Sequence, residues 1–83
     1  MKGPFVQLNQ AISSIRKDRI VAVDKRIDET KTRMLLFPQS LGVFESHLKF
    51  LREKREELMG RLGSDVVHID ELQEYAARKS ALS

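Results

Sequence analysis

The sequence predicts an all-α protein built as a long antiparallel helical hairpin with a heptad seam and a short C-terminal helix. Three observations predict this class. Apolar residues recur every three to four positions from residue 20 to residue 62, which is typical of helices that pack along a narrow stripe. Pro38 interrupts the pattern once, and Gly63 follows its end. We therefore expect a single helical domain over residues 1–83.

The seam consists of positions a and d of a seven-residue repeat that begins at Ile20. Thr30 and Arg55 are its polar members. Arg55 would either fix the register of packing or extend its aliphatic stem towards water. We expect the apolar members to form an oligomer or partner interface, and they are Ile20, Val23, Ile27, Met34, Phe37, Leu41, Phe44, Leu48, Leu51, Leu58 and Leu62.

The first helix is expected over residues 5–37, with a change of register in the charged segment 16–19. Pro38 disfavours helical geometry at the residue before it and lacks an amide hydrogen, so we place a turn at 38–40. The alternative is one long helix kinked at the proline, which costs about 3 kcal/mol.

The second helix is expected over residues 41–62, where Gly63 suits the left-handed geometry of a helix end. A connector over 63–68 leads to a third helix over 69–81. Asp70 and Gln73 have the spacing of a capping box, which predicts the start of that helix.

Size and composition favour self-association. A chain of 83 residues buries only about 60% of its unfolded surface, so its core is thin and a partner is the default expectation. The absence of cysteine excludes disulfides and thiolate metal sites. No apolar run reaches the roughly 18 residues of a membrane span, and we expect a cytoplasmic protein.

A row of basic residues flanks the seam at heptad position g and is called the basic flank; it consists of Arg19, Arg26, Arg33, Lys54 and Arg61. In an antiparallel pair these like charges lie side by side and repel one another. Four interpretations remain open: a solvated edge, an acidic partner protein, phosphates, or neutralisation by the chain's own acidic residues. The last are Asp65, Asp70, Glu71 and Glu74.

Apolar residues crowd around the predicted turn. Residues 34–37 and 41–51 carry more apolar surface than the seam needs, and Leu36, Val43 and Phe50 form a second column beside it. Two helices cannot bury so wide a face. The third helix, a second copy or a partner must cover it, and we expect burial within a bundle.

Catalysis has little support in this sequence, and we expect no enzyme, metal or cofactor. His47 and His68 lack the paired spacing of a zinc motif, and no glycine-rich phosphate loop is present. The pattern indicates a small protein–protein interaction module, such as an assembly factor, chaperone, adaptor or inhibitor. Its expected partners are itself, as a homo-oligomer, and another protein with an acidic surface. The alternative is a nucleic-acid-binding protein that uses the basic flank, although interleaved acidic residues weaken a phosphate track.

Overall fold

The computed structural model describes residues 4–82, with side chains from Gln7 onward, and confirms the all-α class. Helix α1 extends over Pro4–Leu36, a single 3-10 turn occupies Pro38–Ser40, α2 extends over Leu41–Arg61 and α3 over Ile69–Leu82. Residues 4–82 contain no strand. The molecule is elongated, with extents of 58 × 27 × 19 Å. No helix in the described part of the chain is long and apolar enough to cross a membrane.

Pro38 ends α1, and α2 packs back against it. Phe37 leaves the helical region, which the following proline disfavours, with φ −130° and ψ 65°. Arg55 of α2 contacts Asp24 of α1 at 2.6 Å. One continuous helix would separate these residues by about 46 Å at 1.5 Å per residue. The interhelical contacts therefore support the hairpin, and the single kinked helix does not fit.

The hairpin core lies midway along α1 and α2. Ile27, Leu48 and Leu51 are buried together, and Val23 and Met34 pack against them. Thr30 is also buried, and its hydroxyl donates to the Arg26 carbonyl at 2.8 Å. A polar seam residue is thus accommodated without a partner on another helix.

Helix α3 packs on α1 at the end of the molecule opposite the turn. Its first turn contacts residues 16–19 and its last turn lies near residues 7–11, so it runs against the direction of α1. The expectation that the apolar residues around the turn are buried holds for Leu48 and Leu51 but is wrong for most of the others within this chain. Leu35, Val43 and Phe50 remain exposed because α3 lies elsewhere.

The junctions of α2 and α3 differ in how well the sequence predicts them. Helix α2 ends at Arg61, the cap residue Leu62 is extended, and Gly63 follows in left-handed geometry, with φ 75°, within a turn that the Ser64 amide closes on the Arg61 carbonyl at 3.1 Å. The capping box at Asp70 and Gln73 is wrong, because α3 begins one residue before Asp70. His68 occupies the cap position: its carbonyl accepts the Glu71 amide, and its own amide donates to the Glu71 carboxylate at 3.0 Å. Glu71, at the third helical position, provides the returning hydrogen bond of a capping box.

Candidate interaction surfaces

An exposed apolar cluster surrounds the hairpin turn. Its members, which we call the tip patch, are between 42% and 84% exposed, and they are Leu35, Leu36, Phe37, Leu41 and Val43. Single exposed apolar side chains are common, whereas a contiguous patch of large ones is typical of an interaction site or of a surface prone to aggregation. The tip patch is therefore the first candidate surface.

The predicted interface residues divide into three groups. Five are buried inside the chain and form its own core: Ile20, Ile27, Leu48, Leu51 and Leu58. Four more are half-buried: Val23, Met34, Phe44 and Leu62. Only Phe37 and Leu41 are exposed, and both belong to the tip patch. The seam thus supplies the hairpin core, and its end near the turn supplies open surface.

The basic flank is divided by α3. Asp70 accepts hydrogen bonds from Arg19 at 2.6 Å and from Arg61 at 3.1 Å, so the chain's own acidic segment neutralises two members of the flank. Lys54 lies 3.6 Å from Glu57 on its own helix. Arg26 and Arg33 have no ion-pair partner among the described residues and are exposed. Three members of the flank thus face solvent.

A buried ion pair attaches α3 to α1. Arg16 is 4% exposed and Glu71 is fully buried. The guanidinium donates to both carboxylate oxygens of Glu71, at 2.7 and 3.1 Å, and to the carbonyls of Ser64 and Val66, at 2.9 and 2.7 Å. A bidentate arginine–carboxylate pair that also uses four of the five guanidinium N–H donors meets what a buried charge requires. Arg16 thereby holds both the connector and the start of α3.

A second layer of ion pairs lies outside the buried one. Glu74 accepts from Arg19 at 3.1 Å and from Arg78 at 2.6 Å, and Arg78 also donates to Asp18 at 2.8 Å. Arg61 of α2 joins the same network through Asp70. The three helices therefore meet in a charged cluster rather than in an apolar core alone.

This cluster lowers the pKa of its carboxyl groups. The hydrogen bond from Arg19 is the main cause that lowers the pKa of Asp70 to about 2, with a further contribution from Arg61. The hydrogen bond from Arg16 lowers the pKa of Glu71 more strongly than burial raises it, and the His68 amide adds to the effect. Both groups are charged at neutral pH and favour the folded state there.

An open groove of about 410 Å³ continues from the start of α3 towards the tip, between α1 and α2. It is called the basic groove. Leu51 and Leu58 are buried at its floor, whereas Phe50 on its edge is 60% exposed. Its lining consists of Arg19, Ala22, Val23, Arg26, Phe50, Leu51, Lys54, Leu58 and Asp70. The groove therefore combines an apolar floor with a basic rim.

Sequence reasoning missed the role of Arg16. It treated residues 16–19 as a change of register, because the heptad pattern provides no seam position there. A signal was present in the composition: a cationic segment interrupts an apolar helix face between Ile15 and Ile20, and the acidic residues follow in α3. Their pairing joins residues 55 apart, which helical periodicity cannot detect.

Among residues 4–82, no group of three histidine or carboxylate side chains is placed to hold a metal ion. The His47 ring stacks on the ring of Phe50, with centroids 6.4 Å apart. Comparison with models of protein families, with curated proteins and with solved structures finds no match to this chain.

Proposed function

We propose that this protein is a protein–protein interaction module that associates with a second copy of itself through the tip patch. The observation that carries the proposal is the exposure of five large apolar side chains around one turn. Burying an apolar side chain that is exposed in the monomer stabilises the associated state by roughly 1.5–3 kcal/mol when burial is complete.

The surface area of the chain supports a second copy as the occupant. A folded monomer of 9.6 kDa exposes about 5,100 Å² on the size scaling of globular proteins. This chain exposes 6416 Å². The excess, about 1,300 Å², accompanies the elongated shape of the molecule and is larger than the roughly 800 Å² that each partner contributes to an interface of standard size. A symmetric contact between two tips would bury the tip patches of both copies.

Analytical ultracentrifugation of Val43→Glu at micromolar concentration tests the proposal. Val43 is 71% exposed, so the substitution leaves the monomer core intact while placing a charge in the tip patch. Val21→Glu is the matched control, because Val21 is 67% exposed on the α1 surface away from the turn. We expect wild type and Val21→Glu to sediment as oligomers and Val43→Glu as a folded monomer. A monomeric wild type would contradict the proposal.

Nucleic-acid binding, the alternative function, has less support. Carboxylates of α3 already bind Arg19 and Arg61, so the basic flank offers a shorter phosphate track than its sequence predicts. Asp24 and Asp28 lie on the exposed surface of α1 and would repel phosphates. The single tyrosine, Tyr75, is half-buried, which limits base stacking.

A further inference from the structure

The basic groove is separate from the tip patch and has a different chemistry. Its floor is apolar, formed by Val23, Leu51 and Leu58. Arg26 rises from α1 on one side and Lys54 from α2 on the other, and no salt bridge in the described part of the chain joins either residue to another helix. At one end the groove is closed by Asp70, the second residue of α3.

Helix α3 shows which ligand the basic flank accepts. Asp70 and Glu74 are four residues apart, so they lie on one face of α3, and both bind Arg19, at 2.6 and 3.1 Å. The flank therefore already receives the carboxylates of an amphipathic helix at its first position. Arg26 occupies the same heptad position one repeat further along α1, about 10.5 Å away, and its guanidinium has no such ligand.

The apolar surface of the groove favours an acidic amphipathic helix over a phosphate backbone as the ligand. A phosphate backbone would pair with Arg26 and Lys54 but would leave Val23 and the exposed face of Phe50 in water. An amphipathic helix contacts both kinds of surface, because apolar residues on one face lie beside carboxylates on its edges. Charge complementarity then fixes its orientation in the groove.

We propose that the basic groove binds an acidic amphipathic helix of another protein. Its apolar residues would pack on Val23, Ala22 and the exposed ring of Phe50, and carboxylates on its two edges would pair with Arg26 and Lys54. This site does not depend on self-association at the tip patch, so the two proposals can fail independently.

Fluorescence anisotropy with a labelled synthetic peptide tests the site. The probe is a helix of about 14 residues with a leucine stripe edged by glutamates four residues apart, and the control peptide carries glutamine at those glutamate positions. A labelled DNA duplex is the third ligand. We expect the acidic peptide to bind, to lose affinity with added salt, and to bind more tightly than either the glutamine peptide or the duplex.

Two double variants with equal charge change locate the contact. The first variant, Arg26→Glu with Lys54→Glu, reverses the charge of the groove rim. The second, Lys25→Glu with Lys49→Glu, reverses the charge of two lysines that line other faces of the hairpin. We expect the first pair to weaken peptide binding at least about tenfold, which corresponds to 1.4 kcal/mol, and the second pair to leave it within about twofold. Circular dichroism verifies that both pairs fold, and Phe50→Ala tests the apolar contact without a change of charge.

Several results would overturn this proposal. They are absence of peptide binding to wild type, equal losses in the two double variants, or tighter binding of the duplex than of the peptide. Val43→Glu should leave peptide affinity unchanged, and the rim variant should leave the sedimentation coefficient of the unliganded protein unchanged. These two controls separate a failure at the groove from a failure at the tip.

Discussion

Two ion pairs in this protein differ in burial but hardly in geometry, and this difference makes a sharp prediction about stability. Arg16 and Glu71 are 2.7 Å apart with side chains 5% and 0% exposed. Arg55 and Asp24 are 2.6 Å apart with side chains 42% and 45% exposed. Each pair joins α1 to another helix. We expect that neutralising the carboxylate has a large effect in the first pair and a small one in the second.

The magnitudes follow from what each arginine retains. In Glu71→Gln, the buried Arg16 keeps uncharged acceptors, namely the carbonyls of Ser64 and Val66 and the new amide oxygen, but its charge loses its counter-ion. Breaking a buried pair in this way costs about 3–5 kcal/mol. In Asp24→Asn, Arg55 turns to water, and exposed pairs contribute only about 0–1 kcal/mol.

Urea unfolding followed by far-UV circular dichroism measures both values. A domain of this size is stabilised by about 4–12 kcal/mol in total, so Glu71→Gln removes a large fraction of its stability. The melting temperature should fall by at least about 12 °C for Glu71→Gln and by less than about 8 °C for Asp24→Asn. Hydrogen exchange should show that the amides of α3 lose protection first, because the buried pair joins the start of that helix to α1.

Similar losses of stability in the two variants would refute the reasoning. So would a loss below about 1 kcal/mol for Glu71→Gln, because a buried guanidinium without a counter-ion cannot be that well tolerated. Both substitutions preserve side-chain volume, so packing defects do not account for a difference between them.

Two further predictions concern the same end of the molecule. Folding lowers the pKa of Asp70 and the pKa of Glu71 below their ordinary values of 3.8 and 4.5. Both groups therefore contribute fully to the free energy of unfolding above those ordinary values, and the contribution is lost as the pH falls. For Asp70 the loss extends down to about pH 2. The urea midpoint of the wild type should therefore decrease as the pH is lowered across this range, and that of Asp70→Asn should decrease less steeply. The same pH dependence in both proteins would contradict the lowered pKa of Asp70. Gly63→Ala should destabilise the protein by about 1 kcal/mol in thermal unfolding, because φ 75° strains any residue with a Cβ although no atom lies within 4 Å of the added carbon. An increase in stability would contradict this.

The sequence predicts the helices of this protein well, because their boundaries depend on local chemistry. Pro38 and Gly63 act on the backbone within one or two residues, and both mark ends of helices in the structure. The third helix was expected from residue 69, where α3 begins, but its cap was assigned to Asp70 because Asp70 resembles a cap residue. Its carboxylate instead binds Arg19 and Arg61, and the cap position falls to His68. A local rule failed there because a tertiary ion pair uses the same side chain.

The candidate surfaces were predictable only in part. Heptad periodicity identified Phe37 and Leu41 together with the core residues, but it could not tell open surface from buried seam. That distinction depends on where α3 lies. The basic flank was recognised as a row of like charges, and the chain's own acidic segment was one of the interpretations considered. The connector determines which arginines the acidic residues of α3 contact. Arg16 fixes the connector by hydrogen bonds to the carbonyls of Ser64 and Val66, and the periodicity of the sequence does not predict these bonds.

The lengths of the helices explain why the tip patch stays open. Helix α1 has 33 residues and α2 has 21, so α1 extends past the end of α2 by about 18 Å at 1.5 Å per residue. That overhang carries Ile12 and Ile15, both buried, and it needs a cover. Helix α3 has 14 residues, about 21 Å, which matches the overhang and leaves nothing to reach the turn. The charged cluster then fixes α3 at that end. No described residue of this chain therefore covers Leu35, Leu36 and Val43, and in the proposed dimer a second copy would bring the same apolar surface to meet them.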